Sequence, residues 1–156
     1  MTILTKIGLP LVLLVSTCFC GIGEVDTTVM VGEDNPPKFY FSGTGWMYFL
    51  EVSEIPAENL AANLGRLNAK PLKLIWRFVP PGSESPSMDR WPSVMYGTVP
   101  DGGKQTEPAI GPPPSLEEGK TYFVRAMTGG AGSGRAWFTV KNGRTVEIPE
   151  PDNLRP

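Results

Sequence analysis

Side chains that could carry chemistry are few in this chain. Histidine is absent, and the two cysteines, Cys18 and Cys20, stand close together near the N-terminus. Without an imidazole, neither a Ser-His-Asp nor a Cys-His catalytic site can be built, and the usual zinc sites are excluded as well. Two cysteines this close in sequence also make a poor intramolecular disulfide. The groups left for chemistry are carboxylates, lysines and loops rich in glycine.

The carboxylates that could act together stand in three neighbouring pairs: Glu51 with Glu54, Glu117 with Glu118, and Glu150 with Asp152. A glycosidase needs two carboxyl groups roughly 5–10 Å apart across a cleft, with one of them kept protonated by an apolar environment. Neighbouring carboxylates in exposed turns do not provide that arrangement, so we interpret the pairs as solvated surface. The sequence predicts a protein that is not an enzyme and that binds no cofactor and no metal.

Residues 129–135 form a loop that is rich in glycine. A phosphate-binding loop requires a lysine followed by serine or threonine, and a helix that begins behind it. Arg135 and Ala136 stand at those positions, and the β-prone run that begins at Trp137 follows them. We therefore interpret the segment as a hairpin loop, with Arg135 as a candidate contact residue at one end of the domain.

The first 23 residues have the features of an export signal. One charged residue, Lys6, precedes an apolar run over residues 7–15, and small residues follow it. That run is shorter than the roughly 17–25 apolar residues of a transmembrane helix, and Pro10 interrupts it. Because the uncharged stretch continues to Gly23, an uncleaved N-terminal anchor stays open as the alternative. The chain is predicted to be exported.

The four residues that end at Cys18, Val-Ser-Thr-Cys, resemble a bacterial lipobox, in which the cysteine is lipidated and becomes the mature N-terminus. Thr17 departs from the usual Gly, Ala or Ser, and ordinary cleavage at Cys20 or Gly23 is the competing interpretation. If Cys18 is lipidated, Phe19 behind it implies, by analogy with lipoprotein sorting, an outer-membrane anchor. Otherwise the protein is expected to be periplasmic or secreted. Membrane contact is expected only through the lipid or the uncleaved segment.

About 130 residues remain behind the signal, which is enough for one domain with a sizeable core. Fourteen lysines and arginines oppose 16 aspartates and glutamates, so no basic patch indicates nucleic acid. The 18 glycines and 17 prolines are scattered and indicate many turns. We expect a single domain over residues 24–148 and a frayed tail over residues 149–156.

Aromatic, β-prone runs predict the first strands. Residues 38–42 and 46–52 are predicted to form a hairpin joined by residues 43–45. Period-two alternation then places one set of side chains of the second strand on a common face: Trp46, Tyr48, Leu50 and Val52. Leucines at helical spacing behind Pro56 predict one short helix over about residues 56–68.

Further strands are predicted over residues 72–79, 94–99, 121–128, 135–140 and 145–148. In the first of these, alternation directs four side chains inward: Leu72, Leu74, Trp76 and Phe78. Residues 100–103 have turn chemistry, and the proline-rich residues 108–114 are expected to cross between two sheets.

The Asn142-Gly143 turn can be built in two ways. A two-residue loop would set Val146 opposite Thr139 and leave polar residues opposite Phe138. A three-residue loop over residues 141–143, with Gly143 left-handed, sets Phe138 against Val146. Matching of apolar faces favours the three-residue loop.

Several short strands with regular turn signals predict an all-β fold, an antiparallel sandwich. Leu116, Gly119 and Tyr122 have the leucine, glycine, tyrosine spacing of the tyrosine corner, and this part of the chain resembles fibronectin type III and immunoglobulin-like domains. The resemblance implies that the Tyr122 hydroxyl bonds to backbone a few residues upstream, and that Trp76 is the core tryptophan. It concerns architecture and implies no activity.

Aromatic side chains exceed what one face of a small sandwich easily buries. The favoured interpretation is that the helix and the N-terminal segment cover the second face of residues 39–49; the alternative is an exposed patch that binds a partner protein or a glycan. Tyr40, Trp46 and Trp91 are the candidate contact aromatics, and Trp91 could equally plug one end of the core. We expect a non-catalytic cell-envelope module, binding or structural, that contacts a partner protein; the alternatives are a carbohydrate-binding module and a periplasmic immunity-type inhibitor.

Overall fold

The computed structural model describes residues 26–60, 71–80, 91–129 and 132–151. Nine strands lie in these ranges: β1 Thr28–Val31, β2 Lys38–Ser42, β3 Trp46–Ile55, β4 Lys73–Val79, β5 Ser93–Met95, β6 Lys104–Glu107, β7 Thr121–Gly129, β8 Gly134–Lys141 and β9 Arg144–Ile148. A 3-10 turn, Ala57–Leu60, follows β3. Within the described ranges no helix is long and apolar enough to cross a membrane.

Three predictions fall wholly or partly outside the described residues. The export signal over residues 1–23, with the lipidation candidate Cys18, lies outside them. The helix expected over about residues 56–68 is described only as the turn Ala57–Leu60. The frayed tail predicted over residues 149–156 is described only to Pro151.

The strands form two antiparallel sheets. The smaller sheet has the order β1-β2-β5, and the larger has the order β6-β4-β3-β7-β8-β9. Their inner faces share one core: Val29, Phe39, Phe41 and Val94 from the smaller sheet, and Leu50, Val52, Trp76, Phe78, Val124, Phe138 and Val140 from the larger. The all-β antiparallel sandwich predicted from the sequence is therefore confirmed.

Aromatic rings join the two sheets across this core. The ring centroids of Phe39 and Phe138 lie 5.8 Å apart. Trp76 is fully buried, with its ring centroid 5.5 Å from that of Phe78 and 5.3 Å from that of Tyr96. Each such side chain contributes about 1.5–3 kcal/mol through burial of its apolar surface. The prediction that Trp76 belongs to the core is confirmed.

The turn before β7 contains the hydrogen bond that the tyrosine-corner resemblance implies. The backbone amide of Glu117 donates to the Tyr122 hydroxyl over 2.8 Å. Leu116 is buried beside it, and Gly119 has a φ of +74°, a value that favours glycine. The Gly119 amide also donates to the Val140 carbonyl over 2.9 Å, which ties the corner to β8.

The predicted hairpin of residues 38–52 was wrong. β2 pairs with β1 and β5, whereas β3 pairs with β4 and β7. The chain crosses between sheets at Gly43, where φ is +116° and a Cβ atom would lie 2.6 Å from a backbone oxygen of Asp26. The crossing lets the apolar sides of both strands face each other in the core. A hairpin would have placed them side by side in one sheet.

The predicted common face of β3 was also wrong. Leu50 and Val52 are fully buried, whereas Trp46 and Tyr48 are 59% and 51% exposed. A register irregularity between Met47 and Phe49, opposite β7, interrupts the alternation. Because a bulge adds one residue to the strand, the side chains before it point to the opposite face from those that strict alternation predicts.

The three-residue loop predicted at the β8–β9 turn was wrong, because β8 and β9 pair in the register of a two-residue Asn142-Gly143 loop. Both loop residues have positive φ, 55° and 72°, as a type I′ turn requires. The left-handed conformation predicted for Gly143 is therefore confirmed, and only the loop length differs.

Polar contacts with β1 and with the segment just after it accompany the register of β9. The Thr145 amide donates to the Glu33 carbonyl over 3.0 Å, and the Glu147 carboxylate accepts from the Val31 amide over 2.8 Å. These polar contacts close the gap between β1 and β9, so the inner side of β9 carries Thr145 and Glu147. Val146 lies outside, 43% exposed. The loop length predicted by matching apolar faces was wrong because the inner side of β9 is polar at this place.

Two smaller predictions also needed correction. The chain crosses from the smaller to the larger sheet between β5 and β6, whereas residues 108–114 connect β6 and β7 within the larger sheet. At the start of β4, Leu72 is exposed and Leu74 half-buried, because the pairing with β3 shifts between Val52 and Ser53. The turn over residues 100–103 is confirmed by a 2.9 Å hydrogen bond from the Gly103 amide to the Pro100 carbonyl.

Candidate functional site

The structure brings two of the four predicted contact residues onto one surface. Trp46, on β3, and Arg135, on β8, both lie on the outer face of the larger sheet. Tyr40 lies on the outer face of the smaller sheet, on the other side of the molecule. Trp91 is only 9% exposed, and its ring centroid lies 5.8 Å from that of Phe78. Of the two placements considered for Trp91, the core placement is therefore confirmed.

A row of charged side chains crosses the outer face of the larger sheet. Arg77 on β4 pairs with Glu51 on β3, Glu51 pairs with Arg125 on β7, and Arg125 pairs with Arg135 on β8. Because directly paired residues place their side chains on the same face, these four groups stand in line across four neighbouring strands. The row is the centre of the candidate site.

Glu51 holds two of these arginines in place. Its Oε2 atom accepts from Nε of Arg77 over 3.0 Å and also from Nη2. Its Oε1 atom accepts from Nε of Arg125 over 2.8 Å. Glu51 is 5% exposed, and a buried carboxylate is tolerated only when it is paired and hydrogen-bonded. The arrangement therefore orders both guanidinium groups on the sheet surface.

Aromatic rings support the flat sides of the guanidinium groups. The guanidinium carbons of Arg77 and Arg125 lie 4.8 and 5.4 Å from the ring centroid of Phe49. That of Arg135 lies 5.5 Å from the ring centroid of Trp137. Cation–π contacts of this length are attractive, and they leave the N–H donors at the edges of the guanidinium planes free to reach other groups.

Two exposed aromatic side chains, Trp46 and Tyr48, extend the surface at the start of β3. A Cβ atom on Gly129 of the neighbouring strand would lie 2.6 Å from the Tyr48 hydroxyl, so the glycine leaves room for the tyrosine to lie across it. We call the whole surface the arginine–aromatic face; it comprises Trp46, Tyr48, Phe49, Glu51, Arg77, Phe123, Arg125, Arg135 and Trp137.

The direct pairing of Arg125 with Arg135 is the unusual feature of this face. Like charges directly opposite each other destabilise a sheet. Arg125 is compensated by Glu51, whereas the one anionic partner of Arg135 among the described residues is Glu150, just beyond β9, whose Oε2 lies 3.5 Å from Nη2. Oε1 of Glu150 is buried and has no hydrogen-bond partner among the described residues. Arg135 is thus the more weakly compensated of the two.

Two other surfaces among the described residues, one around Tyr40 and one beside Tyr96, combine fewer charged and aromatic side chains. Tyr40 stands between Met30 and Ser93 on the smaller sheet, with the Lys38 ammonium 5.6 Å from its ring centroid. A separate cavity of about 360 Å³ is lined largely by prolines and by Tyr96. The Tyr96 hydroxyl donates to the Pro114 carbonyl over 2.8 Å, and burial raises the pKa of Tyr96. That hydroxyl is thus engaged in holding the fold.

The interpretation of Glu51 as solvated surface was wrong, since its side chain is buried, and Arg77 and Arg125 were not among the predicted contact residues. All three left a signal in the sequence. Each is a charged residue in the middle of an otherwise apolar strand: WMYFLEV, LIWRFV and YFVRAM. A lone charge at such a position is surrounded by the side chains of neighbouring strands and needs a partner there. Three such positions with opposite signs would have indicated an ionic cluster on one face of a sheet.

The arginine–aromatic face offers hydrogen-bond donors and aromatic surface, which suit recognition of an anionic and partly apolar ligand. Within the described ranges no group of three or more His, Cys, Asp or Glu side chains could hold a metal ion. No protein-family model, no curated protein and no solved structure matches this chain.

Proposed function

We propose that this protein is a non-catalytic binding module of the cell envelope that contacts a partner protein through the arginine–aromatic face. The observation that carries the proposal is the composition of that face: two exposed aromatic side chains, Trp46 and Tyr48, beside three arginines with partly exposed side chains. Trp, Tyr and Arg are the residues in which protein–protein interfaces and their hot spots are enriched.

The prior ordering of the arginines supports this proposal. Binding costs about 0.5–1.5 kcal/mol for each rotamer-rich side chain that must be immobilised. Glu51 and Phe49 already hold Arg77 and Arg125 in the unbound chain, so most of that cost is met on folding. The prior ordering lowers the entropic cost of binding a second macromolecule, and this supports a binding role for the face.

The proposed module is of the fibronectin type III or immunoglobulin-like kind. The order β1-β2-β5 matches strands A, B and E of such a sandwich, and the neighbouring β3, β7 and β8 match strands C, F and G. The hydrogen bond between Tyr122 and Glu117 supports the same assignment. These domains commonly act as interaction modules without catalysis, although the fold itself specifies no partner.

Export is the second part of the proposal and rests on the sequence of residues 1–23. Intact-mass measurement of the mature protein from membranes, beside a Cys18→Ala variant, tests it. A mass that starts at Cys18 and carries acyl chains, lost in the variant, would identify a tethered lipoprotein. An unmodified mass that begins near Glu24 would indicate a free periplasmic or secreted domain. A full-length mass recovered in a cytosolic fraction would contradict export.

Partner binding is tested with two matched double variants. Trp46→Ala with Tyr48→Ala alters the arginine–aromatic face, and Met30→Ala with Tyr40→Ala alters the opposite face to a similar extent. After chemical cross-linking in the producing cells, quantitative mass spectrometry of the co-isolated proteins should show a partner that the first variant loses and the second keeps. Equal recovery of every co-isolated protein with both variants would contradict the proposal.

Carbohydrate binding is the second candidate, and the exposed pair Trp46 and Tyr48 is the observation that favours it. Aromatic rings exposed on one face of a sheet can stack on sugar rings. Because the other three tryptophans, Trp76, Trp91 and Trp137, are buried, Trp46 is the indole whose fluorescence should respond. Titration with cell-wall and polysaccharide fragments tests this candidate, and the absence of any shift would remove it.

A further inference from the structure

We propose that Arg125 and Arg135 together form a carboxylate-binding site, so that the partner segment recognised by this face is acidic. This inference rests on the proposed function and adds the chemical class of the ligand. In the unbound chain the C-terminal Glu150 contacts the site from its edge and competes with the ligand.

The pairing of the two arginines indicates an anion. Side chains directly opposite each other on neighbouring strands have Cβ atoms about 4.5–5.5 Å apart, and Arg125 and Arg135 stand in that relation. Positive side chains paired in this way destabilise a sheet unless a negative group compensates them. Glu51 is already shared between Arg125 and Arg77, so it does not neutralise Arg135.

Unused hydrogen-bond donors on Arg125 and Arg135 also indicate an anionic ligand. Arg125 uses Nε and Nη2 for Glu51, and its Nη1 makes no hydrogen bond to a described residue. Arg135 has one contact, from Nη2 to Glu150 at 3.5 Å, which leaves its Nε and Nη1 without a partner in the described part of the chain. Guanidinium N–H groups form strong, charge-assisted hydrogen bonds with carboxylates, and each of these two arginines keeps at least one such donor unused in the described part of the chain.

Glu150 shows that a carboxylate reaches this site but fits it poorly. Its Oε2 atom is at the limit of hydrogen-bond distance from Arg135, and its Oε1 atom is buried without a hydrogen-bond partner in the described ranges. A buried acceptor that lacks a donor is costly. A carboxylate from outside, free to approach both arginines, can make the bonds that Glu150 does not make, and should displace it.

Aromatic neighbours define the rest of the ligand. Phe49 lies against Arg125, and Trp137 lies against Arg135 and contacts Phe123. The carboxylate therefore binds beside apolar surface, with exposed Trp46 and Tyr48 on the same face. A peptide segment in which Asp or Glu stands beside apolar residues has the chemistry that matches this surface. A polyanion without apolar groups would leave the exposed rings of Trp46 and Tyr48 uncovered.

The experiment is a selection from a displayed library of random 12-residue peptides against the purified full chain. Selected peptides are then tested by fluorescence anisotropy against the wild type and four variants: Trp46→Ala, Arg135→Gln, Glu150→Gln and the opposite-face control Tyr40→Ala. Peptides that Trp46→Ala no longer binds and Tyr40→Ala still binds are assigned to the arginine–aromatic face. Each of these is compared with a version in which Gln replaces Asp and Glu.

We expect face-binding peptides to be rich in Asp and Glu. The Gln version, and separately Arg135→Gln, should each weaken binding about tenfold, because a charge-assisted hydrogen bond is lost. Glu150→Gln should strengthen binding about two- to fivefold, because the internal competitor loses its charge. Circular dichroism should show that all four variants fold, since all four side chains are exposed or partly exposed.

The possible negative results distinguish the carboxylate site from the proposed binding module. Face-binding peptides whose Gln versions bind equally well would overturn the carboxylate site and leave the binding module standing. The same holds if Arg135→Gln leaves binding unchanged, or if Glu150→Gln weakens it. If no selected peptide depends on Trp46, both the carboxylate site and the proposed binding face are wrong.

Discussion

Substitution of Glu51 by glutamine is the sharpest perturbation of the arginine–aromatic face. The change keeps the shape of the side chain but removes its charge, and it turns one oxygen acceptor into an NH₂ donor that faces an arginine. Removal of one partner from a buried ion pair costs about 3–5 kcal/mol. Because the side chains of Arg77 and Arg125 are 35% and 37% exposed, water partly compensates them. We therefore expect a loss of about 2–3 kcal/mol in the free energy of unfolding.

Urea denaturation followed by tryptophan fluorescence measures this loss, and thermal melting should show a midpoint lower by about 6–9 °C. Glu54→Gln is the matched control on the same strand. Its carboxylate pairs with Lys73 at 3.8 Å and Lys120 at 3.0 Å, near the surface, and its loss should cost at most about 1 kcal/mol. The Glu51 effect should persist at high salt because that group is buried. If Glu51→Gln and Glu54→Gln cost the same, the argument that Glu51 organises the arginines is wrong.

Three further predictions concern the fold. Tyr122→Phe leaves the Glu117 amide without its acceptor and should cost about 1 kcal/mol in urea denaturation; an unchanged midpoint would contradict the role given to this hydrogen bond. Gly43→Ala places a methyl group 2.6 Å from a backbone oxygen at a φ of +116° and should cost about 2–3 kcal/mol. Gly119→Ala has a φ of +74° and open space around the methyl group, so it should cost only about 1 kcal/mol; equal losses would contradict the close approach at Gly43. Burial raises the pKa of Tyr96 above its ordinary value of 10.0, so the folded state keeps a proton that the unfolded chain releases, and stability should fall as the pH rises above about 10. Urea denaturation from about pH 8 to about pH 11 should show that fall, and Tyr96→Phe should reduce its slope; identical slopes would argue against the tyrosine as the titrating group.

The architecture could be predicted because its signals are local. Short alternating strands and frequent turn residues indicate an antiparallel sandwich, and the spacing of Leu116, Gly119 and Tyr122 depends on a single turn. The same holds for the left-handed Gly143. Each of these features involves residues close in sequence, so the pattern contains the information that determines the structure.

Features that depend on strand order could not be predicted in the same way. Residues 38–42 pair with β1, and not with β3, because β2 and β3 belong to different sheets. The outward turn of Trp46 follows from a bulge opposite β7, and the β9 register follows from hydrogen bonds to β1. In each case the deciding contact is distant in sequence.

The candidate site shows the same limit. Arg77 lies 26 residues and Arg125 lies 74 residues from Glu51 in sequence. Only the order β4-β3-β7-β8 sets them in one row. Arg135 and Trp46 could be singled out as contact residues by type, but the surface they share depends on that order.

Site-specific photo-cross-linking in the producing cells tests whether the arginine–aromatic face contacts a partner protein. A photoreactive phenylalanine analogue replaces Trp46 in one protein and Tyr40, on the opposite face, in another. We expect a discrete cross-linked product from position 46 and none from position 40. A product from position 40 alone, or equal products from both positions, would show that the partner does not recognise the arginine–aromatic face.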